Sequence, residues 1–197
     1  MWRKTEISPF LPVLLVLFIL FSPTELLLAL LSAAVCHELG HALVLRCCGG
    51  HIARLRLTVL GAEMVLADAS RLSYGGELLV TLAGPAVNLG LCAALTALGA
   101  RWEVLYLFAA AQLVLGLYNL LPIRPLDGGR ALWLLCAWWL DPFAADRLAG
   151  IVDGAFSGAL LALGLWTWLR RGTPFLLLAA LGLTLPRLGL AKPGQKG

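Results

Sequence analysis

An apolar run from position 26 to position 45 is interrupted by His37, Glu38 and His41, and that interruption limits what the chain can fold into. The run is about as long as an α-helix needs to cross a bilayer, roughly 20 residues. Ionisable side chains inside such a helix are costly without partners. On a helix, positions i and i+4 lie on one face, one turn apart, so the two imidazoles can converge on a single ion. Glu38 projects to one side, within reach of a water bound to that ion. In a soluble helix the same His-Glu-x-x-His pattern is often only a solvated polar face. Inside an apolar segment water cannot solvate the three groups, and a bound cation supplies the partner.

The rest of the chain supports a membrane setting. Of its 197 residues, 60% are hydrophobic and only 13% charged, against about a quarter charged in an ordinary soluble domain. The formal charge of +4 is spread among apolar segments, which argues for membrane topology and against nucleic-acid binding. The five cysteines have no zinc-finger spacing, and most lie in or beside apolar segments and read as small buried thiols, with Cys47-Cys48 also placed for juxtamembrane lipidation. One membrane-embedded domain over residues 1–197 is expected, with no separate soluble domain.

Taken in order, apolar segments predict spans at about residues 7–21, 24–46, 76–99, 104–121, 148–169 and 174–190. Ser22-Pro23-Thr24-Glu25 is a tight turn with a helix-start signal between the first two. The stretch 131–140 is apolar but too short to span. Between the second and third spans, Arg54 and Arg56 alternate with Leu55 and Leu57 ahead of Gly61, a period-two pattern that predicts a short β-hairpin at the membrane edge. The expected fold is thus an all-α polytopic membrane protein of about six transmembrane helices with one such hairpin. If both termini are cytoplasmic, that side receives every basic residue except Arg101, Arg170 and Arg171, as the positive-inside rule asks. In this arrangement the second and fourth spans both run inward, so His37, His41 and the segment after the fourth span reach similar depth on one side.

That segment contains Asp127. A catalytic zinc commonly takes three protein ligands and keeps one position for water. His37 and His41 supply two, and a third must be a rigidly held carboxylate, thiolate or imidazole. His51 is the one spare histidine and reads as a loop residue. Asp127 is the better candidate, because Pro122 and Pro125 stiffen its approach while Gly128 and Gly129 allow a sharp turn that aims the carboxylate inward. Read alone, Leu-Asp-Gly-Gly is equally an ordinary turn at a span's end. Asn119 could hold an extended substrate backbone or merely cap a broken helix end. Gly84-Pro85 and Asn88 read as a small-residue kink that packs the third span against the second.

Three stretches, His37-Glu38-Leu39-Gly40-His41, Ala83-Gly84-Pro85-Ala86-Val87-Asn88 and the run from Asn119 to Gly128, resemble in this order the signature motifs of the site-2 protease family of intramembrane zinc metalloproteases. The compact chain, with its hairpin before the third span, is most similar to the bacterial sporulation-type branch. The resemblance covers about residues 7–190. It implies one zinc ion held by His37, His41 and Asp127, with Glu38 as the catalytic base. It also implies a membrane-tethered protein substrate, such as a pro-protein or transcription factor, cut in or near its transmembrane segment. The location it implies is a bacterial cytoplasmic membrane, with regulated proteolysis and possible membrane regulators or self-association. Arg124 departs from the pattern, standing where the family has an apolar residue or proline, a change placed to alter the substrate entrance. No PDZ-like insertion or C-terminal CBS-type domain is expected.

Two other classes compete. A metal-ion transporter would explain the histidines, but not a glutamate beside the first of them, and transporters usually carry internal repeats that this sequence lacks. A catalytically silent binding protein on the same fold would have no use for an intact ligand set and base.

Overall fold

The computed structural model describes residues 5–7, 23–50, 52–58, 61–66 and 72–184. The chain forms two compact units, Met1–Leu120 and Leu121–Gly197, and each is taken in turn.

The first unit is built on three helices: α1 (Thr24–Cys47), α2 (Tyr74–Gly99) and α3 (Val104–Asn119). Helix α1 starts where the sequence predicts. Pro23 is extended and Glu25 lies in the first turn, beside the positive end of the helix dipole. It ends at a glycine in the left-handed region, Gly49 with φ 75°, and N–H groups there return to the last carbonyls: Gly49 to Arg46 and Gly50 to Leu45. The Ser73 hydroxyl caps α2 by accepting from the Gly76 N–H at 3.2 Å.

Small residues set the packing. Ala29 and Ala33 of α1 and Ala111 of α3 form a buried cluster. A Cβ on Gly40 would lie 2.9 Å from the Ala83 carbonyl oxygen, so the α1 and α2 backbones touch there as only a glycine allows. The other side of α1 is apolar yet open: Val35, Leu39 and Leu43, four residues apart, are all more than half exposed. A stripe of large apolar side chains facing outward is what a lipid-facing helix presents.

Three strands complete this unit: β1 (Thr5–Ile7), β2 (Ile52–Thr58) and β3 (Gly61–Leu66), in the order β1-β2-β3. Where the sequence predicts a hairpin, β2 and β3 pair antiparallel with Arg56 opposite Glu63. The parallel strand β1, with Thr5 opposite Leu55, is not anticipated by the sequence reading. It occupies the start of the predicted first span. The remainder of that span, residues 8–21, lies outside the described residues.

The second unit holds α4 (Asp127–Trp139), α5 (Pro142–Arg171) and α6 (Phe175–Thr184). Helix α5 begins earlier than the predicted residue 148. Asp141 accepts from the Phe143 and Ala144 N–H groups, and Pro142 occupies the first turn. Gly172, with φ 66°, closes its far end. Gly164 lets α6 approach: a Cβ there would sit 2.7 Å from the Leu177 Cα.

Three of the described helices, α1, α2 and α5, are long and apolar enough to cross a bilayer. The six-span expectation reaches further than this. Helix α3 has 16 residues, about 24 Å of helix against a hydrocarbon core of about 30 Å. Helix α6 has 10, about 15 Å, and residues 185–190 of its predicted span lie outside the described residues.

Candidate metal centre

The centre begins with the four-residue spacing of two helices. His37 and His41 lie one turn apart on α1; Val80, Gly84 and Asn88 lie one turn apart on α2. The two rows face each other in opposite order. His41 Nδ1 is 2.7 Å from the Val80 carbonyl oxygen, and His37 Nδ1 is 2.6 Å from Asn88 Oδ1. Gly84 sits between these rungs. A Cβ on it would lie 2.7 Å from His41 Cε1 and 2.8 Å from His37 Cε1, so glycine makes the space into which both rings turn. The close packing expected at Gly84-Pro85 is found at the Gly40–Ala83 contact, and Gly84 does more than pack: it clears room for the imidazoles.

The hydrogen bonds fix the chemistry of the rings. A backbone carbonyl only accepts, so His41 Nδ1 carries a proton. The Asn88 amide nitrogen donates to the Ala33 carbonyl at 3.1 Å and to Gln112 Oε1, which leaves Asn88 Oδ1 facing His37, so His37 Nδ1 also carries a proton. With Nδ1 of each ring donating to α2, Nε2 is the atom each ring turns toward the other. These nitrogens are 3.0 Å apart, with the rings edge to face at 82°. A proton shared between the two Nε2 atoms, or a metal ion bound by both, fits that separation. The separation is near the ~3.3 Å that two nitrogens subtend on a tetrahedral zinc. Imidazole nitrogen oriented by a second hydrogen bond on its other ring nitrogen is how protein zinc ligands are held. The pair fits a zinc ion.

Glu38 follows His37 on α1 and is half-buried. Asp127 lies in the second unit, as the first residue of α4. The structure corrects the expected turn here: Leu-Asp-Gly-Gly opens a helix instead of ending a span. Leu126 is extended, with φ −69° and ψ 160°. An acidic side chain in the first turn of a helix is favoured by its dipole. Gly129 has a packing role, since a Cβ there would be 2.6 Å from the Ile123 carbonyl carbon and 2.8 Å from the Arg124 nitrogen. The Pro-rich segment can lie across the start of α4 only because that residue is glycine.

Asn119, the predicted substrate contact, is the last residue of α3, and its amide nitrogen donates to the Leu115 carbonyl at 3.1 Å. That bond runs back one turn within the helix, whose cap residue is Leu120. Arg124 is anchored within its unit: its backbone N–H donates to Asp153 at 2.9 Å, and its guanidinium pairs with Asp146 at 2.8 Å. His51 lies outside the described residues. The sequence reading missed Asn88 as a partner of His37. The signal available was its spacing, a fully buried amide one helical turn beyond Gly84 in an apolar segment.

These features define a helical membrane protein with a candidate metal centre, a pair of imidazoles, inside its first long helix pair. Among known proteins, zinc metalloprotease candidate Rip3 of Mycobacterium tuberculosis is 36% identical over 144 residues, which is 68% of this chain and 35% of that protein. Stage IV sporulation protein FB of Bacillus subtilis is 33% identical over 150 residues, 74% of this chain and 52% of that protein. The chain thus spans a third to a half of the length of these curated relatives. The solved site-2 protease from Methanocaldococcus jannaschii superposes with a TM-score of 0.70 at 22% identity, over 100% of this chain and 96% of that one, a likeness of fold. No family model matches the chain. Motifs, relatives and fold agree: the chain belongs to the site-2 protease family and is an integral membrane protein.

Proposed function

We propose that this chain is an intramembrane zinc endopeptidase that cuts a membrane-tethered protein in or near its transmembrane segment. The observation that carries the reading is the pair of Nε2 atoms held 3.0 Å apart over a glycine. Such an arrangement suits a metal ion bound by both rings, and it adjoins a carboxylate, Glu38, that an ion-storage site would not need.

In this reading His37, His41 and Asp127 hold the zinc. The two imidazoles are fixed by Asn88 and Val80, and Asp127 adds a carboxylate whose segment is stiffened by Pro122, Pro125 and the Gly129 contact. When bound, zinc supplies a Lewis acid that acidifies water and polarises a peptide carbonyl. Glu38 takes the proton from the attacking water and passes it to the leaving amine. The substrate's peptide bonds are hidden in helical hydrogen bonds, so the segment to be cut must first unwind. Asn119 would offer its amide oxygen to the unwound backbone while its nitrogen stays on Leu115. The rest of the reading is a single membrane domain of six spans in a bacterial cytoplasmic membrane, with both termini and the centre toward the cytoplasm. It is supported by the distribution of basic residues.

The test is Glu38→Gln in purified protein, in detergent or liposomes, with a tethered substrate that the wild type cuts. An amide nitrogen cannot accept a proton at neutral pH. The variant should keep its zinc and lose at least ~10²-fold of its cleavage rate, the usual worth of a positioned general base. A transporter would tolerate the change with little effect on ion binding. Equal cleavage by both proteins removes Glu38 as the base and the hydrolytic reading with it.

A further inference from the structure

We propose that Gln112 is a positioning residue of the metal centre, acting on His37 through Asn88; the inference rests on the metal-site reading above. Gln112 lies at the middle of α3, and both it and Asn88 are buried, at 2% and 0% exposure. Two amides buried in an apolar bundle are costly unless their hydrogen bonds are met. The Asn88 NH₂ group has two hydrogens, and both are used: one by the Ala33 carbonyl of α1, the other by Gln112 Oε1 of α3. Ala33 stands one helical turn before His37, so Asn88 spans the turn of α1 that carries the ligand.

Orientation is the point of this arrangement. Rotating the Asn88 amide by half a turn would place its NH₂ against His37 Nδ1 and its oxygen against the Ala33 carbonyl and Gln112 Oε1, where acceptor would face acceptor. With both acceptors in place the amide is held one way, Oδ1 toward His37. That forces the Nδ1–H tautomer and leaves the Nε2 lone pair for the ion. Without Gln112 Oε1, one hydrogen of a buried amide loses its acceptor, and one of the two contacts that oppose the rotated form is gone. His41 has no such dependence, because its Nδ1 partner is the backbone carbonyl of Val80. Gly116, one turn after Gln112 on α3, shapes the same contact: a Cβ there would lie 3.1 Å from Asn88 Cβ. Helix α3 thus bears on the centre from a second layer, though it carries no ligand.

The test compares wild type, Gln112→Met and Gln112→Glu by zinc affinity in chelator competition and by the visible spectrum of the cobalt-substituted proteins. Methionine matches glutamine in length and offers no comparable acceptor; glutamate restores an acceptor oxygen. Gln112→Met should weaken zinc about 10-fold, the lower end of the cost of losing an outer partner of a metal-bound histidine. It should also alter the cobalt bands, and Gln112→Glu should recover both to within about 3-fold of wild type. Should Gln112→Met fail to fold, Gly116→Ala reads the same contact by displacing Asn88, and a similar weakening is expected. Wild-type affinity in Gln112→Met, or in Gly116→Ala if that variant is the one read, overturns the proposal. So does equal weakening in Gln112→Met and Gln112→Glu, which would mark a packing role alone. Absence of zinc from the wild type would instead overturn the metal-site reading itself, a separate result.

Discussion

His37 and His41 are held by hydrogen bonds they donate to a neighbouring helix, one to a buried amide oxygen and one to a backbone carbonyl. The segment that carries Asp127 is held differently. Its backbone is packed against Gly129, and its Arg124 side chain reaches an ion pair with Asp146 that is half open to the surroundings. The first region orients rings to within a tautomer, because in a buried site a wrong donor or acceptor costs a full unmet hydrogen bond. The second sets where a carboxylate stands through backbone shape, and its polar contacts lie outside. Substitutions should therefore act on the two regions in different ways: on metal binding in the first, on the fold of the segment in the second.

The largest effect is expected at Gly84. An alanine there puts a methyl group within 2.8 Å of both imidazole rings, whose other ends are tied to Asn88 and Val80 and cannot retreat. Zinc affinity of Gly84→Ala should fall by ~100-fold, the upper end of what changes around the ligands cost, with helix content by circular dichroism unchanged. Near-normal zinc would show that the rings are not confined as described.

Gly129→Ala tests the second region. Its Cβ would meet the backbone of Ile123 and Arg124 at 2.6–2.8 Å, and backbone yields less readily than a side-chain end. Overpacking of this kind costs about 1–3 kcal/mol. A lower midpoint in thermal or denaturant unfolding of the detergent-solubilised protein should reveal it. Wild-type stability would mean that the Pro-rich segment moves freely, contrary to the comparison.

Arg124→Ala should do least. Both partners of its ion pair are exposed, at 42% and 63%, and such pairs contribute at most about 1 kcal/mol. The backbone N–H bond to Asp153 survives the substitution. Unfolding midpoints should shift slightly at low salt and converge with wild type near 1 M, where the screening length is about 3 Å. A large loss would mean that the side chain, and not the backbone, secures the segment.

The same comparison explains what could be read in the sequence. His37, Glu38 and His41 stood out because helical periodicity and an apolar setting are both local properties. Asn88 did not, since its meaning depends on His37 and Gln112, 51 and 24 residues away, and a lone amide in an apolar segment has many possible partners. Gly84 carried the right signal of close packing, though which atoms it admits depends on the neighbouring helix. Leu-Asp-Gly-Gly has the Pro and Gly neighbours of a turn, yet the same composition suits a helix start with a backbone crossing it. Asp141-Pro142 was a legible helix start that the apolar pattern beginning at residue 148 concealed. Strand β1 is three residues long and exists only through pairing with β2, so no local pattern announces it.

The central claim is that paired imidazoles on α1, together with Asp127 of α4, hold one zinc ion. Metal analysis of the purified protein tests it most directly, with His41→Ala and Asp127→Ala measured alongside the wild type. The wild type should contain about one zinc per chain, and each variant should contain sharply less, as expected when one of three protein ligands is removed. A wild type without zinc would contradict the claim outright, and full zinc in Asp127→Ala would remove that residue from the ligand set.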